Sequence, residues 1–391
     1  MRKPPLTLFG WPGALGGSET KLTALGKLLS RDFQITWVPN DDAALRERSA
    51  RAWIAAHGMK AARWDELPRR LSGWGVALCN IPFLTTGRVL EARGRGLRIA
   101  WGGEMMWAIP GELGALVAGA LDCVLFTGDV QREVLGGAYT RALGMTNDET
   151  QAPGLRHSSF VLRHSPHPAH GGTSGTLRGP AGEVRWVTVG NYVDSDAFPF
   201  RRRSGEGFTI GRLSRADWVK FPRDFPQTYE GLGLSDAEGP VKFRVMAWSR
   251  DLARRWPGHR WDKRWELLPA LAEKPSTFLR SLDAMVYDVG PRFSESWGRA
   301  VVEGMLTGAV PLIPANPRHH LHLLVPHDIA GFHNKTRRDW RRHARLLQSD
   351  LPLRCRMSRA ASEYAREELC NAEKHRAVWR AVLGGMSRSF Q

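Results

Sequence analysis

Short apolar runs alternate with longer, more polar segments of helical length through the first half of the chain. The runs span residues 6–9, 34–38, 76–79, 97–101 and 123–126. Continuous apolar runs of this length are typical of parallel strands that are covered on both faces. The segments between them are long enough for crossover helices, so the pattern predicts a doubly wound α/β domain.

This alternation is interrupted between residues 144 and 183. Gly, Pro, Ser and His are frequent there, and the sequence predicts a mobile surface loop. His164, His167 and His170 have a spacing that a metal ion could use, but no cysteine or carboxylate accompanies them. The sequence therefore predicts no metal site in this stretch.

A second alternating pattern follows a linker-like segment. The run at 185–190 predicts the last strand of the first domain, and residues 194–207 have linker composition. Strand candidates then recur at 208–210, 243–248, 284–287 and 310–313. We expect two α/β domains, residues 1–198 and residues 199–391.

Composition is that of a globular protein. The 391 residues, 42% of them hydrophobic, are enough to form two ordinary cores. No apolar run approaches the 18 or so residues of a membrane span, and residues 1–12 lack the apolar core of a signal peptide. We therefore expect a cytoplasmic protein.

The formal charge of +17 is concentrated in the second half, which contains 34 basic and 21 acidic side chains. Helical spacing places Arg338, Arg341, Arg342 and Arg345 on one face, with Trp340 between them. One interpretation is a surface for a polyanion, either nucleic acid or an anionic membrane that the protein binds peripherally. The other is an ordinary solvated helix.

Two glutamates flank a predicted helix start in the segment 293–313. A helix that begins near Ser296 or Trp297 would separate Glu295 from Glu303 by roughly 12 Å along its axis. The unpaired N–H groups between them favour an anion, and Gly298 lets it approach closely. The alternative is an amphipathic helix whose two glutamates are solvated.

Apolar runs on both sides make this segment a strand–loop–helix–strand unit, and it resembles the glutamate-x7-glutamate signature of retaining glycosyltransferases of family 4. The matching positions are Glu295, Ser296, Trp297, Gly298, Glu303, Met305, Gly308, Pro311 and Ile313. The resemblance implies the GT-B fold, in which two Rossmann-like domains face each other across a cleft. It also implies that a terminal helix, here residues 370–383, crosses back to the first domain.

Roles in the donor site follow from the same resemblance. Glu295 would orient the donor sugar, Glu303 would bind the ribose, and the amides of 296–298 would hold the diphosphate. The glycine pair Gly16 and Gly17 resembles the turn that lies beside the diphosphate in related enzymes. A tight turn without a ligand would need the same glycines.

The segment 208–222 is similar to the family's G-R-L/I-S segment with a downstream lysine. The resemblance assigns Arg212 and Lys220 to the donor phosphates, where fixed cations neutralise a departing diphosphate. The gap between them is longer than in the family, so Arg215 competes with Lys220 for this role. Ordinary surface cations are the alternative.

The acceptor side departs from the family. Relatives carry a histidine after the strand at 97–101, whereas Glu104 is the ionisable residue at this turn. Glu104 would bind an acceptor hydroxyl or act as a base, or it has a structural role. Gly128 stands where the family has a serine. His319, His320 and His322 lie in a stretch that is structural in relatives, so no zinc site is predicted.

The sequence thus predicts a retaining, metal-independent glycosyltransferase that needs no cofactor. It would move a sugar from a nucleotide donor, UDP-linked, to a hydroxyl of a glycan or lipid. One alternative is a phage-type enzyme that glycosylates hydroxymethylated pyrimidines in duplex DNA. The other is a non-catalytic nucleotide- or nucleic-acid-binding protein on the same fold.

Overall fold

The computed structural model describes residues 3–13, 17–144, 171–290, 293–316 and 319–384. The chain divides into two compact units. The first unit comprises Met1–Tyr192 together with Ala372–Gln391, and the second comprises Val193–Asn371. The terminal helix is therefore part of the first unit, as expected from the sequence.

The first unit contains an eight-stranded sheet in the order β3-β2-β1-β4-β5-β6-β8-β7. All neighbouring strands are parallel except β7 and β8. The strands are β1 (Pro5–Phe9), β2 (Gln34–Val38), β3 (Lys60–Ala61), β4 (Trp74–Leu78), β5 (Arg98–Gly102), β6 (Cys123–Phe126), β7 (Gly171–Gly179) and β8 (Gly182–Val189).

Helices cover this sheet, and apolar clusters lie on both of its faces. The helices are α1 (Gly17–Leu29), α2 (Arg48–Ala56), α3 (Ile81–Thr85), α4 (Arg88–Gly94), α5 (Pro110–Val117), α6 (Asp129–Ala142) and α14 (Ala372–Gly384). The helix α14 joins this unit through Val378, Trp379, Val382 and Leu383, which are buried in the same cluster as the leucines of α1.

The β7–β8 hairpin corrects the prediction of a loop from 144 to 183. Residues 171–179 form a strand although they are mostly Gly, Ser and Thr, because they pair with the more apolar strand β8. Gly175 lies against the Trp186 ring, and a Cβ atom at this position would be 2.6 Å from the ring atoms. The remainder of the predicted loop, with His164, His167 and His170, lies outside the described residues.

The second unit contains a six-stranded, fully parallel sheet in the order β11-β10-β9-β12-β13-β14. The strands are β9 (Phe208–Leu213), β10 (Val241–Met246), β11 (Trp265–Leu268), β12 (Ala284–Val286), β13 (Val310–Pro314) and β14 (Phe332–Asn334). The four strand candidates predicted in this half of the chain overlap β9, β10, β12 and β13.

Seven helices among the described residues connect or cover these strands. They are α7 (Phe225–Glu230), α8 (Arg250–Ala253), α9 (Pro275–Ser281), α10 (Arg299–Thr307), α11 (Leu321–Leu324), α12 (Arg337–Ser349) and α13 (Leu351–Tyr364). In the parts of the chain that the structure describes, every helix is too short or too polar to cross a membrane.

Candidate functional site

The strand order of the second unit reverses between β9 and β12. The chain first runs outward from β9 through β10 to β11, then returns to the other side of β9 and continues through β12, β13 and β14. In open parallel sheets, ligands bind at such a switch point, outside the carboxyl ends of the strands. The residues that follow β9 and β12 are therefore candidates for a ligand site.

Arg212, at the end of β9, is fully buried. Its guanidinium donates to the carbonyl oxygens of Asp288 and of Lys220, the latter at 2.8 Å, and lies over the rings of Phe221 and Tyr287 at 4.6 and 4.7 Å. Among the described residues it makes no ion pair, and its Nε has no hydrogen-bond partner. A buried cation that is solvated by neutral groups is suited to an anionic ligand.

Lys220 brings a second cation to the same place. It ends a short 3₁₀ turn, Trp218–Lys220, and its buried Nζ lies 3.3 Å from Oε2 of Glu295 and 4.5 Å from the centroid of the Phe293 ring. The structure thus joins Arg212, Lys220 and Glu295, three residues that the sequence assigns to the donor site, in one cluster.

The surroundings of Glu295 favour the ionised form of its carboxyl group. Burial alone would raise the pKa of its carboxyl, but the Lys220 charge, hydrogen bonds from the Tyr287 hydroxyl and Lys220, and the Arg212 charge hold that pKa below its ordinary value. The Tyr287 hydroxyl donates to Oε2 at 2.8 Å. A carboxylate fixed in this way is a stable acceptor for sugar hydroxyl groups.

His319 fixes the backbone of the same loop. Its Nδ1 accepts a hydrogen bond from the Glu295 backbone N–H at 3.0 Å, which assigns the ring proton to the other nitrogen. Burial lowers the pKa of His319, so the neutral ring is favoured. This contact gives His319 a structural role that acts directly on the backbone of a candidate site residue.

The position of the helix start differs from the prediction. Helix α10 begins at Arg299 rather than at Ser296 or Trp297, because Gly298 adopts a left-handed conformation with φ of 85° and forms the N-cap. A Cβ atom at Gly298 would lie 2.2 Å from Leu321. Trp297 is fully buried and Ser296 is half-buried in the loop before the helix, and the first-turn amides of α10 lie after them.

Glu303 lies inside α10 and in a different electrostatic environment from Glu295. It accepts from Nε of Arg299 at 2.7 Å, one helical turn earlier. Burial raises the pKa of the Glu303 carboxyl despite the opposing Arg299 charge. The solvated-helix alternative is excluded by the burial of both Glu295 and Glu303.

Arg215 does not join the cluster. Its side chain is exposed. Burial raises the pKa of Tyr287, and the Arg215 charge opposes this increase only weakly. The structure therefore brings Lys220, and not its competitor Arg215, against Glu295.

A polar pocket of about 540 Å³ opens beside Glu295, at the carboxyl ends of β12, β13 and β14. Its polar lining comes from Asp288, Ser294, Asn316, His319, Asn334 and Lys335. Burial raises the pKa of Asp288 to about 6 against the opposing charge of Arg212. Within the described ranges, no three His, Cys, Asp or Glu side chains come together as a metal site.

Glu104, in the first unit, is paired rather than free. It follows β5 in a left-handed conformation with φ of 58°, which is strained for a residue with a side chain. Its carboxylate forms an ion pair with Lys21, a lysine of α1 that is 2% exposed. Gly17 begins α1, and Gly16 lies outside the described residues.

The predicted basic face lies on α12. Arg338, Arg341, Arg342 and Arg345 are all exposed. Trp340 is buried in the core of the second unit, so the expectation that it lies between the arginines on the surface is wrong. The period of the helix turns this side chain inward, with Ala344 and Leu347.

Sequence reasoning missed three residues of these sites, Lys21, Tyr287 and Arg299, and it did not connect His319 with Glu295. Tyr287 and His319 act on Glu295, Arg299 acts on Glu303, and Lys21 acts on Glu104. The spacing of Arg299 and Glu303 by four residues on a helix was the one available local signal. The other contacts join residues that are distant in sequence or separated by an irregular loop.

Solved structures match almost the whole chain. HepE from Anabaena, in complex with UDP and glucose, is 11% identical over 97% of this chain and 99% of its own, with a TM-score of 0.63. A glycosyltransferase from Rickettsia africae is 8% identical over 98% and 100%, with a TM-score of 0.65. Sucrose-phosphate synthase from Thermosynechococcus elongatus is 12% identical over 98% and 100%, with a TM-score of 0.61.

No protein-family model matches the chain, and no curated protein matches it. The structural likeness at these low identities shows the fold. The GT-B fold that the sequence predicts is thereby confirmed, and assignment to family 4 stays a prediction.

Proposed function

We propose that this protein is a nucleotide-sugar glycosyltransferase that uses a UDP-sugar and a hydroxyl acceptor on a glycan or lipid. The observation that carries the proposal is the buried cluster of Arg212, Lys220 and Glu295 at the switch point of the second sheet. The likeness to HepE, which was solved in complex with UDP-glucose, supports the same conclusion. The cluster combines cations for a diphosphate with a carboxylate for sugar hydroxyls.

In the proposed complex, the donor diphosphate lies between Arg212, Lys220 and the first-turn amides of α10. The helix dipole and the unpaired N–H groups add to the attraction of the two cations. Glu295 accepts hydrogen bonds from the donor sugar, and Glu303 accepts from the ribose hydroxyls. Tyr287 keeps the Glu295 carboxylate in one orientation through its hydroxyl.

We infer that the reaction proceeds with retention by front-face substitution. The bond between the anomeric carbon and the β-phosphate oxygen breaks, and its electron pair remains on the departing nucleoside diphosphate. The acceptor oxygen forms a bond to the same face of the anomeric carbon, and its proton passes to the departing phosphate oxygen. Arg212 and Lys220 stabilise the negative charge that develops there, so the proposed chemistry is independent of a metal ion.

A thermal-shift screen of nucleotide sugars and nucleoside diphosphates is the first test. We expect UDP and one UDP-sugar to raise the melting temperature, since a ligand that binds only the folded state stabilises it by mass action. Products formed with that donor are then identified by mass spectrometry on glycan, lipid and hydroxymethylated duplex DNA acceptors. The anomeric configuration of the product, read by NMR, tests retention.

Each outcome has a distinct meaning. Stabilisation by UDP without hydrolysis or transfer of any sugar would indicate a non-catalytic nucleotide-binding protein. The absence of stabilisation by every nucleotide would contradict the proposal. Transfer to hydroxymethylated DNA alone would replace the glycan or lipid acceptor with a nucleic acid.

A further inference from the structure

The carboxyl edge of the first sheet carries exposed apolar side chains that fold stability does not explain. Because β1, β4, β5 and β6 are parallel, the loops that follow them lie along the same edge. Ile81, the first residue of α3 after β4, is 44% exposed, and Trp107, in the loop after β5, is 51% exposed. Large apolar side chains that share one edge with polar groups mark binding surfaces.

The loop that presents Trp107 is held at both ends. The carbonyl of Met105 accepts a hydrogen bond from the buried amide of Gln131 at 2.6 Å, and the N–H of Ile109 donates to Glu112 at 3.4 Å. Glu112 is itself buried and accepts from the Trp101 indole at 2.7 Å. Trp107 is therefore displayed on a fixed loop.

The charged groups that follow β1 and β5 favour a neutral, hydroxyl-rich ligand over a polyanion. Lys21 is already neutralised by Glu104. The exposed Glu19 adds a further carboxylate. Its Oε2 lies close to Gly13, since a Cβ atom added to Gly13 would be 2.8 Å from it. Phosphate groups would be repelled by Glu19 and would gain little from Lys21, whose charge Glu104 balances, whereas carboxylates accept hydrogen bonds from sugar hydroxyls.

We propose that Trp107 and the Lys21–Glu104 pair form a saccharide subsite on the first unit, and hence that the acceptor is a glycan. The Trp107 ring packs against the apolar face of a sugar ring, and Glu104 accepts hydrogen bonds from its hydroxyl groups. Lys21 is a positioning residue that holds the Glu104 carboxylate in place. This assignment rests on the proposed function, since it names the class of acceptor for that reaction.

The chain supplies a matched set of variants. Trp107→Ala removes the ring, and Trp107→Phe keeps a smaller one. Val117→Ala is the control, because Val117 is 40% exposed at the far end of α5, away from the carboxyl edge. Lys21→Met removes the charge that positions Glu104, and Lys21→Arg restores it.

Saccharide binding is measured first, on an oligosaccharide array with the full chain. We expect Trp107→Ala to lose at least about tenfold in binding, Trp107→Phe to retain part of it, and Val117→Ala to retain all of it. In transfer assays, Trp107→Ala should raise the acceptor KM without changing the donor KM or donor hydrolysis. Lys21→Met should raise the acceptor KM, and Lys21→Arg should recover it.

The array and the donor assays separate the two proposals. Unchanged saccharide binding by Trp107→Ala, or transfer confined to lipid vesicles or duplex DNA, would overturn the subsite while the glycosyltransferase proposal stands. Failure of wild-type protein to bind UDP or hydrolyse any donor would contradict the proposed function. In that case, loss of array binding in Trp107→Ala would still identify a saccharide site.

Discussion

Arg212 is a buried cation whose described hydrogen bonds go to backbone carbonyls rather than to carboxylates. The protein thus keeps a positive charge in place at the switch point without an internal counter-ion at bonding distance. Such fixed charge acts on a developing anion without reorganisation. Glu295, by contrast, forms an ion pair with Lys220, so its charge is balanced within the protein, whereas Arg212 forms no ion pair among the described residues.

Replacement of Arg212 is expected to lower turnover more than donor binding. We predict that Arg212→Ala lowers kcat about 100-fold, in the range found when one preorganised charge-stabilising group is removed. Steady-state kinetics with the best UDP-sugar measure this, and thermal unfolding checks that the variant folds. Lys242→Ala, which removes an exposed cation near the other end of the neighbouring strand β10, is the control and should keep wild-type kcat. An equal loss in both variants would argue against a specific role for Arg212.

The pocket carboxyl Asp288 gives the stability of the protein a defined pH dependence. Its pKa is raised by burial to about 6 in the folded protein, against roughly 3.9 in an unfolded chain. Its ionised form is thus disfavoured by folding, so the contribution of Asp288 to stability is fully present below about pH 4 and is lost as pH rises through 6.

We therefore predict that Asp288→Asn gains on the wild type as pH rises. The difference between their unfolding free energies should shift by about 2 kcal/mol in favour of the variant between pH 4 and pH 7. Chemical denaturation across this range measures the difference. A difference that stays constant with pH would show that the Asp288 carboxyl titrates as it does in the unfolded chain.

At the scale of elements, the loop before α10 depends on one glycine. Gly298 combines a left-handed backbone with close contact to Leu321, and it sets where the helix begins. We predict that Gly298→Ala destabilises the protein by about 1–3 kcal/mol, from backbone strain and steric overlap. It should also weaken UDP binding, because the first-turn amides of α10 are displaced.

Calorimetric UDP titration and thermal unfolding measure the two effects of Gly298→Ala. The control is Gly94→Ala in helix α4, where an added Cβ atom meets nothing within 4 Å. That change should be neutral or slightly stabilising, since alanine is a better helix former than glycine. If both variants behaved alike, the left-handed conformation of Gly298 would not be required for stability or for UDP binding.

Sequence patterns predict elements well where apolar periodicity determines them. The buried strands β1, β9 and β13 follow directly from continuous apolar runs in the chain. The strand β7 was missed because its residues, mostly Gly, Ser and Thr, become a strand through pairing with β8. The pairing of Lys21 with Glu104 was missed because it joins side chains 83 residues apart, which only the fold brings together.

At the scale of the whole molecule, the excess of positive charge is the feature that the proposed reaction does not use. The saccharide subsite proposed on the first unit is bordered by carboxylates, whereas Arg338, Arg341, Arg342 and Arg345 lie exposed on α12 of the second unit. Trp340 is buried, so this surface offers charge without an exposed aromatic ring for base stacking. We therefore expect α12 to attract polyanions by charge alone, without sequence preference.

This expectation fixes the salt dependence of binding. We predict that replacing Arg338, Arg341, Arg342 and Arg345 together by Gln weakens binding to duplex DNA and lowers the slope of log K against log salt by about 3.6, since each of the four phosphate contacts contributes roughly 0.9. Fluorescence anisotropy at several salt concentrations measures the slope, and the fourfold Lys variant is the matched control that should retain it. Anionic vesicles in the same assay distinguish a membrane from nucleic acid as the preferred polyanion. Transfer to a soluble glycan should be unaffected, because the proposed donor and acceptor groups lie outside α12. A parallel loss of transfer and of DNA binding would instead indicate that α12 binds the acceptor, and it would favour the DNA-modifying interpretation.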